Sequence, residues 1–205
     1  MPTPPTATTT EFASLTRPSG GFAMLAVDQR EALRGMFAER YRRPVADAEL
    51  TEFKVVTVRR LSPHASGVLV DRQFCLDAVL AARAVAPGCG LVVAADELTS
   101  DDREYVATTR IDDAVVPAEM KAAGAVALKL LVLWRPDEAP EPRIAMTSDF
   151  IDRCRAAGLV SIVEPVSKPP RDGTTWTADR WNEGVLAAAQ ELGGLGQDLY
   201  KAEVP

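Results

Sequence analysis

The chain has 205 residues, 47% hydrophobic and 25% charged, a balance typical of a globular domain with one sizeable core. Its formal net charge of −6 argues against nucleic acid as a partner, because phosphate backbones select basic surfaces. No apolar run reaches the ~18 residues that a membrane-spanning helix needs. A local cluster of Lys and Arg could still bind a small anion, so a small-molecule substrate is the expected partner.

The chain contains a single histidine, His64, and three cysteines, Cys75, Cys89 and Cys154. Catalytic zinc sites usually use at least two histidines, so we expect neither a metal nor another cofactor. Carbonyl chemistry would then need another activator, and a lysine that forms a Schiff base is the obvious one. The odd cysteine count, without a CxxC pair or a secretory segment, favours reduced thiols in the cytoplasm.

Residues 1–13 are predicted to be a disordered leader, and residues 14–205 to form the structured domain. Within that domain, short apolar runs typical of buried strands alternate with amphipathic patterns typical of helices. The predicted strands are 22–27, 67–70, 91–95, 125–133, 159–163 and 199–204. The predicted helices are 30–40, 48–61, 72–85, 118–123, 148–157 and 178–192.

This alternation predicts an α/β fold with a parallel sheet, either doubly wound or closed into a barrel. No GxGxxG motif follows the first strand, which argues against a doubly wound dinucleotide-binding fold. Polar residues stand at the C-terminal ends of several strands, where a barrel gathers its catalytic groups. They are Asp28, Asp71, Asp96, Glu164 and Lys201. We therefore predict a (β/α)8 TIM barrel that is truncated after the sixth of its eight strands.

Two lysines interrupt apolar strands. Lys201 shares one face of the last strand with Leu199 and Glu203, because side chains alternate with a period of two. Burying an ammonium group is costly, so Lys201 is either a Schiff-base nucleophile or a solvent-facing residue of an edge strand. Lys129 is expected to form an interior ion pair with a carboxylate of the next strand. As a second cation it could also favour the neutral form of Lys201 and hold a substrate anion.

Other candidate residues follow the predicted strands. Glu164 precedes Pro165, which is expected to end the hydrogen-bond ladder and place the carboxylate at the rim, where it can shuttle protons. The alternative is a salt bridge from Glu164 to Lys129 or Arg135. Arg135 and Lys54 are weaker candidates for substrate contact, and Lys54 is interpreted as a solvated residue of a helix.

A polar cluster, Asp28, Gln29 and Arg30, separates the first strand from the first helix. Asp28 can cap the helix or act on substrate hydroxyl groups, and Arg30 can bind a phosphate. His64 falls in a turn at the N-terminal side of the second strand, the face of a barrel that serves stability.

Four segments of the sequence resemble the tagatose-bisphosphate aldolase family of class I aldolases, in the family's order. They are residues 20–31 (GGFAMLAVDQRE), 128–135 (LKLLVLWR), 162–166 (IVEPV) and 198–205 (DLYKAEVP). The resemblance implies that Lys201 is the Schiff-base lysine and that Glu164 is its acid/base carboxylate, with Lys129 beside them. Asp28, Gln29 and Arg30 match the family's strand-one cluster. The family is independent of metals, and its members are homo-oligomers.

Within this family, the sequence resembles the sulfofructosephosphate aldolases. That similarity implies cleavage of 6-deoxy-6-sulfofructose 1-phosphate to dihydroxyacetone phosphate and 3-sulfolactaldehyde, a step of sulfoquinovose catabolism. The alternatives are a tagatose 1,6-bisphosphate aldolase, which yields dihydroxyacetone phosphate and glyceraldehyde 3-phosphate, and an inactive truncated barrel. The family's chains have two more strands that carry the groups gripping the phosphate or sulfonate, so the sequence leaves the choice of substrate open.

Overall fold

The computed structural model describes residues 12–204 of the chain. Within this range six parallel strands form one sheet, two further strands form an antiparallel hairpin, and helices connect the strands of the sheet. The strands are β1 (Met24–Val27), β2 (Gly67–Val70), β3 (Gly90–Ala94), β4 (Asp96–Thr99), β5 (Thr108–Ile111), β6 (Ala125–Trp134), β7 (Val160–Ser167) and β8 (Leu199–Tyr200). The helices are α1 (Glu31–Tyr41), α2 (Asp47–Leu61), α3 (Leu76–Ala81), α4 (Pro117–Ala122), α5 (Pro140–Ala157) and α6 (Ala178–Leu192).

The order of strands in the sheet, β1-β2-β3-β6-β7-β8, is also their order in the chain. A doubly wound sheet reverses its order at a switch point, whereas this sheet never does. Right-handed connections that always advance in one direction place the helices on one face of the sheet, as in a (β/α)8 barrel. The predicted α/β fold with a six-stranded parallel sheet is therefore confirmed.

Side-chain alternation along the strands separates two apolar layers. Toward the helices, Leu128 and Leu130 of β6 join the main core with Phe150 of α5. The opposite, inner face carries a smaller cluster, which comprises Leu15, Leu69, Val92, Ala94, Ala127 and Ile162. Leu15 is fully buried beside the first residues of β2 and β3, so apolar side chains fill the inner face at the N-terminal ends of the strands.

The last two strands differ from the prediction. β7 continues through Pro165 to Ser167, so the expectation that the proline ends the ladder was wrong. Val163 accepts the N–H of Lys201 at 2.9 Å, so the backbone groups of alternate residues, Val163 and Pro165, face β8. β8 ends at Tyr200, so among the described residues no strand pairs with Pro165 on the side that it faces. The proline has no N–H to donate, and here no ladder hydrogen bond is lost. Lys201 thus follows a two-residue strand and does not lie in its middle.

Helix boundaries were predicted with mixed success. α6 spans the predicted residues, and the side chain of Thr177 accepts the N–H of Arg180 as its N-cap. α5 begins much earlier than predicted, at Pro140, because proline is compatible with the first turn of a helix. The predicted leader lies outside the described residues as far as residue 11, and Phe12 and Ala13 begin a turn. No helix within residues 12–204 is long and apolar enough to cross a membrane.

Candidate active site

A cleft of about 250 Å³ opens on the inner face of the sheet, at the C-terminal ends of the strands. Six of the seven predicted site residues line it, namely Lys201, Glu164, Lys129, Asp28, Gln29 and Arg30. Parallel strands end at one edge of a sheet, so residues far apart in sequence converge here. The antiparallel hairpin β4–β5 completes the wall with Leu98, Ser100, Tyr105 and Val106.

Lys129 occupies the centre of the polar cluster. Its neighbours Leu128 and Leu130 pack toward the helices, so strand alternation turns the lysine inward. The ammonium Nζ lies 2.8 Å from Asp28, 2.9 Å from Asp96 and 3.2 Å from Glu164, and the side chain is only 1% exposed. Burial alone would lower the pKa of Lys129, but the three carboxylates outweigh it and raise that pKa well above its ordinary value. The interior ion pair expected from the sequence is therefore present, with three partners.

Lys201 stands at the mouth of the cleft. Its Nζ is hydrogen-bonded to Oε1 of Glu164, while Oε2 of the same carboxylate faces Lys129. Glu164 thus bridges the two lysines, and its side chain is 17% exposed. The Lys201 side chain is 44% exposed, so a ligand can reach it. The Lys129 side chain, which is 1% exposed, leaves no such room.

Asp28 forms the wall of the cleft next to β1. Burial raises the pKa of its carboxyl, but the charge of Lys129, a hydrogen bond to that lysine, and the charge of Lys201 together lower it below its ordinary value. Asp28 is therefore a carboxylate over the whole neutral range. The first turn of α1 receives no side-chain cap, so the alternative of a helix-capping role is not what the structure shows.

Arg30 faces Asp96, a strand-end carboxylate that the sequence marked but did not connect with Arg30. Its Nη1 donates to the backbone carbonyl of Asp96 at 2.8 Å, and its Nη2 donates to the Oδ1 atom of the same residue at 2.7 Å. Arg30 is 9% exposed, so most of its guanidinium is committed to Asp96. Gln29 is exposed and contributes to the wall of the cleft.

Arg135, the seventh predicted residue, is not brought to this cleft. It is 1% exposed, and its guanidinium binds Glu104 of the hairpin at 2.6 Å and the carbonyl of Pro169. It therefore ties the hairpin to the loop that follows β7. A buried arginine with these partners stabilises the rim, and contact with a substrate stays a prediction.

The structure contradicts the interpretation of Lys54 and agrees with the expected position of His64. Lys54 is fully buried and pairs with the equally buried Asp71, with the ring of Phe74 5.6 Å from its ammonium, so its interpretation as a solvated lysine was wrong. The helical pattern that includes Lys54 could not reveal that its face points at the end of β2. His64 lies in a 3-10 turn before β2, at the opposite end of the sheet from the cleft.

The hairpin β4–β5 was missed in the sequence, and with it four residues of the cleft wall. The segment 96–99 pairs with 108–111. The second segment contains three β-branched residues, which are typical of strands, whereas the first begins with two acidic residues, which are not. Within residues 12–204, no group of three or more His, Cys, Asp or Glu side chains is placed to hold a metal ion. The space between the three carboxylates holds the ammonium of Lys129 instead.

Comparison with known proteins identifies relatives over nearly all of this chain. The model of the DeoC/LacD family of aldolases matches residues 22–205. Tagatose 1,6-diphosphate aldolase 2 of Streptococcus mutans is 29% identical over 208 residues, which cover 95% of this chain and 60% of that protein. Tagatose 1,6-diphosphate aldolase 1 of Streptococcus pyogenes is 30% identical, with 91% of this chain and 59% of that protein covered. The chain thus spans about 60% of the length of the curated relatives that it matches.

Solved structures give the same fold. A fructose-bisphosphate aldolase from Slackia heliotrinireducens matches with a TM-score of 0.66 and 16% identity, over 95% of this chain and 59% of that one. An archaeal fructose-1,6-bisphosphate aldolase, solved with its catalytic lysine bound to a carbinolamine intermediate, matches with a TM-score of 0.61 and 15% identity, over 95% of this chain and 69% of that one. The six-stranded sheet is therefore like the corresponding part of a class I aldolase barrel.

Proposed function

We propose that this chain, which belongs to the DeoC/LacD family of aldolases, carries the imine-forming site of a class I aldolase. Lys201 is the nucleophile, Glu164 moves protons, and Lys129 and Asp28 set the charge around them. The observation that carries the proposal is the bridge of Glu164 between an exposed and a buried lysine. An amine that attacks a carbonyl needs a base within hydrogen-bonding reach, and this arrangement supplies one.

The two lysines of the cluster are chemically unequal, and this difference assigns the nucleophile. Lys129 is enclosed by three carboxylates that keep it protonated, so it has no free electron pair for attack. Lys201 is exposed and has one carboxylate partner. We therefore assign the Schiff base to Lys201 and a fixed positive charge to Lys129.

The proposed reaction begins when the neutral amine of Lys201 attacks the ketone carbonyl of a sugar phosphate. Glu164 then protonates the hydroxyl of the carbinolamine, which leaves as water and gives an iminium ion. A base removes the proton of the C4 hydroxyl, and the C3–C4 bond breaks. C4 leaves as the carbonyl carbon of the aldehyde product, and the electron pair of the broken bond flows into the iminium to form an enamine. Protonation of the enamine carbon and hydrolysis of the imine release dihydroxyacetone phosphate and restore Lys201.

Two ketose phosphates are candidate substrates. The motif resemblance favours 6-deoxy-6-sulfofructose 1-phosphate, with 3-sulfolactaldehyde as the second product. The names of the Streptococcus relatives favour tagatose 1,6-bisphosphate. The kcat/KM ratio of the chain on the two compounds distinguishes them, and a ratio above about 10 in either direction assigns the substrate. A homo-oligomer in the cytoplasm is part of the same proposal, and sedimentation of the purified chain measures its size.

Borohydride trapping tests the mechanism directly. Incubation with dihydroxyacetone phosphate and borohydride should reduce the imine and add the mass of the reduced ligand to Lys201, as read by peptide mass spectrometry. Lys201→Arg should abolish the adduct, and Lys168→Arg, at a partly exposed lysine outside the cleft lining, should retain it. If the unmodified chain gives no adduct, the aldolase proposal is wrong and the inactive barrel takes its place.

A further inference from the structure

Asp96 begins the hairpin at the point where the barrel strand β3 ends. The N–H of Ala95 still donates to the carbonyl of Lys129 at 2.7 Å, in line with the parallel ladder between β3 and β6. The chain then leaves the sheet to form β4, and the carboxylate Oδ2 of Asp96 accepts the N–H of Leu131 at 3.0 Å. The Asp96 side chain thus accepts the backbone N–H of Leu131, at a point of β6 where β3 no longer provides a carbonyl.

The carboxylate of Asp96 is held on every side. Oδ1 accepts from Arg30 at 2.7 Å, and Oδ2 accepts from Lys129 at 2.9 Å and from the backbone of Leu131. The side chain is 1% exposed and does not line the cleft, so it acts on a ligand only through its partners. The planar guanidinium of Arg30 fixes its orientation through two bonds to the same residue.

The charges of the ion-pair cluster are balanced, and Asp96 contributes one of them. Glu31, which also lines the cleft, pairs separately with Arg34. The six charged groups of the cluster come from five parts of the barrel: the segment after β1, which carries both Asp28 and Arg30, the start of β4, β6, β7 and the segment after β8. Three carboxylates, Asp28, Asp96 and Glu164, face three cations, Arg30, Lys129 and Lys201. Lys129 lies farther from Glu164 than from the other two carboxylates, by the distances above. Without the charge of Asp96, the attraction of Lys129 would fall more strongly on Glu164, the group that must serve Lys201.

We propose that Asp96, clamped by Arg30, is a positioning residue that draws Lys129 away from Glu164 and leaves that carboxylate free to exchange protons with Lys201. The inference rests on the proposed function, because it concerns the rate of imine formation at Lys201. It assigns Arg30 to the support of the site and not to the binding of a phosphate. It also makes the hairpin β4–β5 a part of the catalytic architecture, because the hairpin begins at Asp96.

The test compares the chain with Asp96→Asn, which keeps the shape of the side chain and removes its charge. The probe is dihydroxyacetone phosphate, and the readouts are the rate of borohydride-trapped imine, the concentration for half-saturation, and the pH at which trapping is half-maximal. We expect the rate to fall about 10- to 100-fold with half-saturation changed less than about threefold. The half-maximal pH should fall by about one unit, because the cluster gains a net positive charge that favours neutral Lys201.

Two further variants separate this role from a contribution to stability alone. Glu191→Gln removes another partly buried carboxylate, one that binds Arg143 at 2.6 Å away from the cleft, and should lower the urea midpoint without changing the trapping rate of the folded protein. Arg30→Lys keeps every charge but loses the two-pronged contact with Asp96, so trapping should slow at least about threefold with an unchanged half-maximal pH.

Each outcome decides the inference. If Asp96→Asn traps imine at the rate and pH of the unmodified chain, Asp96 has no positioning role. If Asp96→Asn does not fold, Arg30→Lys decides, and an unchanged trapping rate in that variant overturns the inference. If the unmodified chain itself traps no imine, the proposed function is wrong and this inference fails with it. If the unmodified chain traps imine and Asp96→Asn traps it equally well, only this inference is wrong.

Discussion

Replacing Lys129 by methionine tests the charge cluster through its effect on stability. The substitution keeps the length of the side chain and removes the ammonium that contacts Asp28, Asp96 and Glu164. Asp96 would keep Arg30 as a partner, and Glu164 would keep Lys201. The loss therefore falls mainly on Asp28. Removing one partner of a buried ion pair costs about 3–5 kcal/mol, and we expect the lower end, about 3 kcal/mol at pH 7, because two of the three carboxylates stay paired.

The pH dependence of this loss has a definite sign. In the unmodified chain the pKa of Asp28 lies below its ordinary value, so its stabilising contribution is present above the unfolded pKa of 3.8 and disappears as the pH falls through the lowered value. In Lys129→Met, burial without the ammonium of Lys129 should raise the pKa of the Asp28 carboxyl, with the charge of Lys201 left to oppose it. As the pH falls, Asp28 of the variant becomes protonated and no longer carries an unpaired buried charge. The stability difference between the two proteins should accordingly shrink from pH 7 toward pH 4.

Urea denaturation at pH 7 and at pH 5 measures both effects. With an m-value of about 2 kcal/mol per molar urea, a loss of about 3 kcal/mol lowers the midpoint by about 1.5 M at pH 7. The matched control is Lys168→Met, at a lysine that is 24% exposed and 3.6 Å from one carboxylate, where the loss should stay below about 1 kcal/mol. A loss in Lys129→Met that is no larger than the control's, or that is the same at both pH values, would refute the reasoning.

Three other substitutions or reactions probe the described fold. Lys54→Met should lower the free energy of unfolding by about 3–5 kcal/mol in urea titrations, because it leaves a fully buried carboxylate unpaired, while imine trapping per folded molecule should not change. Gly90→Ala should cost about 1–3 kcal/mol in the same assay, because the new Cβ would collide with the backbone of the turn before β1; a neutral effect would mean that this turn does not pack there. Maleimide at pH 8 should label the partly exposed Cys89 and spare Cys75 and Cys154, because burial raises the pKa of each of these two thiols to about 12. In guanidinium, all three thiols should be labelled. Labelling of either buried thiol in the folded protein would contradict the structure.

The inner face of the sheet could be predicted from the sequence because it depends on local alternation. Lys129 lies between two leucines that pack toward the helices, so a period of two suffices to turn it inward. An ion pair with Glu164 of the next strand was among the expected contacts, but the contact with Asp96 could not be predicted, because it depends on the register of β6 against β3, which places Lys129 beside Ala94. That register brings Asp96, two residues beyond Ala94, to the ammonium. The sequence marked Asp96 as a strand-end residue but gave no reason to connect it with Lys129.

Lys54 shows that the charge of a residue can be a weaker guide to its environment than its position in a helical pattern. The pattern of α2 places Lys54 four residues after Leu50 and before Val58, both of which are fully buried. That spacing puts the lysine on the buried face of the helix, whereas the interpretation as a solvated residue followed its charge. A buried lysine needs a buried anion, and Asp71 at the end of β2 supplies it. The partner comes from another element, so the sequence of α2 could not announce it.

Arg135 shows the limit of the same alternation rule along a strand. It has the inward parity of Lys129, six residues earlier in the chain. A strand rises about 3.3 Å per residue, so Arg135 lies about 20 Å farther along than Lys129. Parity determines the face toward which a side chain points, but the distance along the strand determines whether it reaches the same cleft. At that distance Arg135 meets Glu104 and the loop after β7, where it holds the hairpin that begins at Asp96.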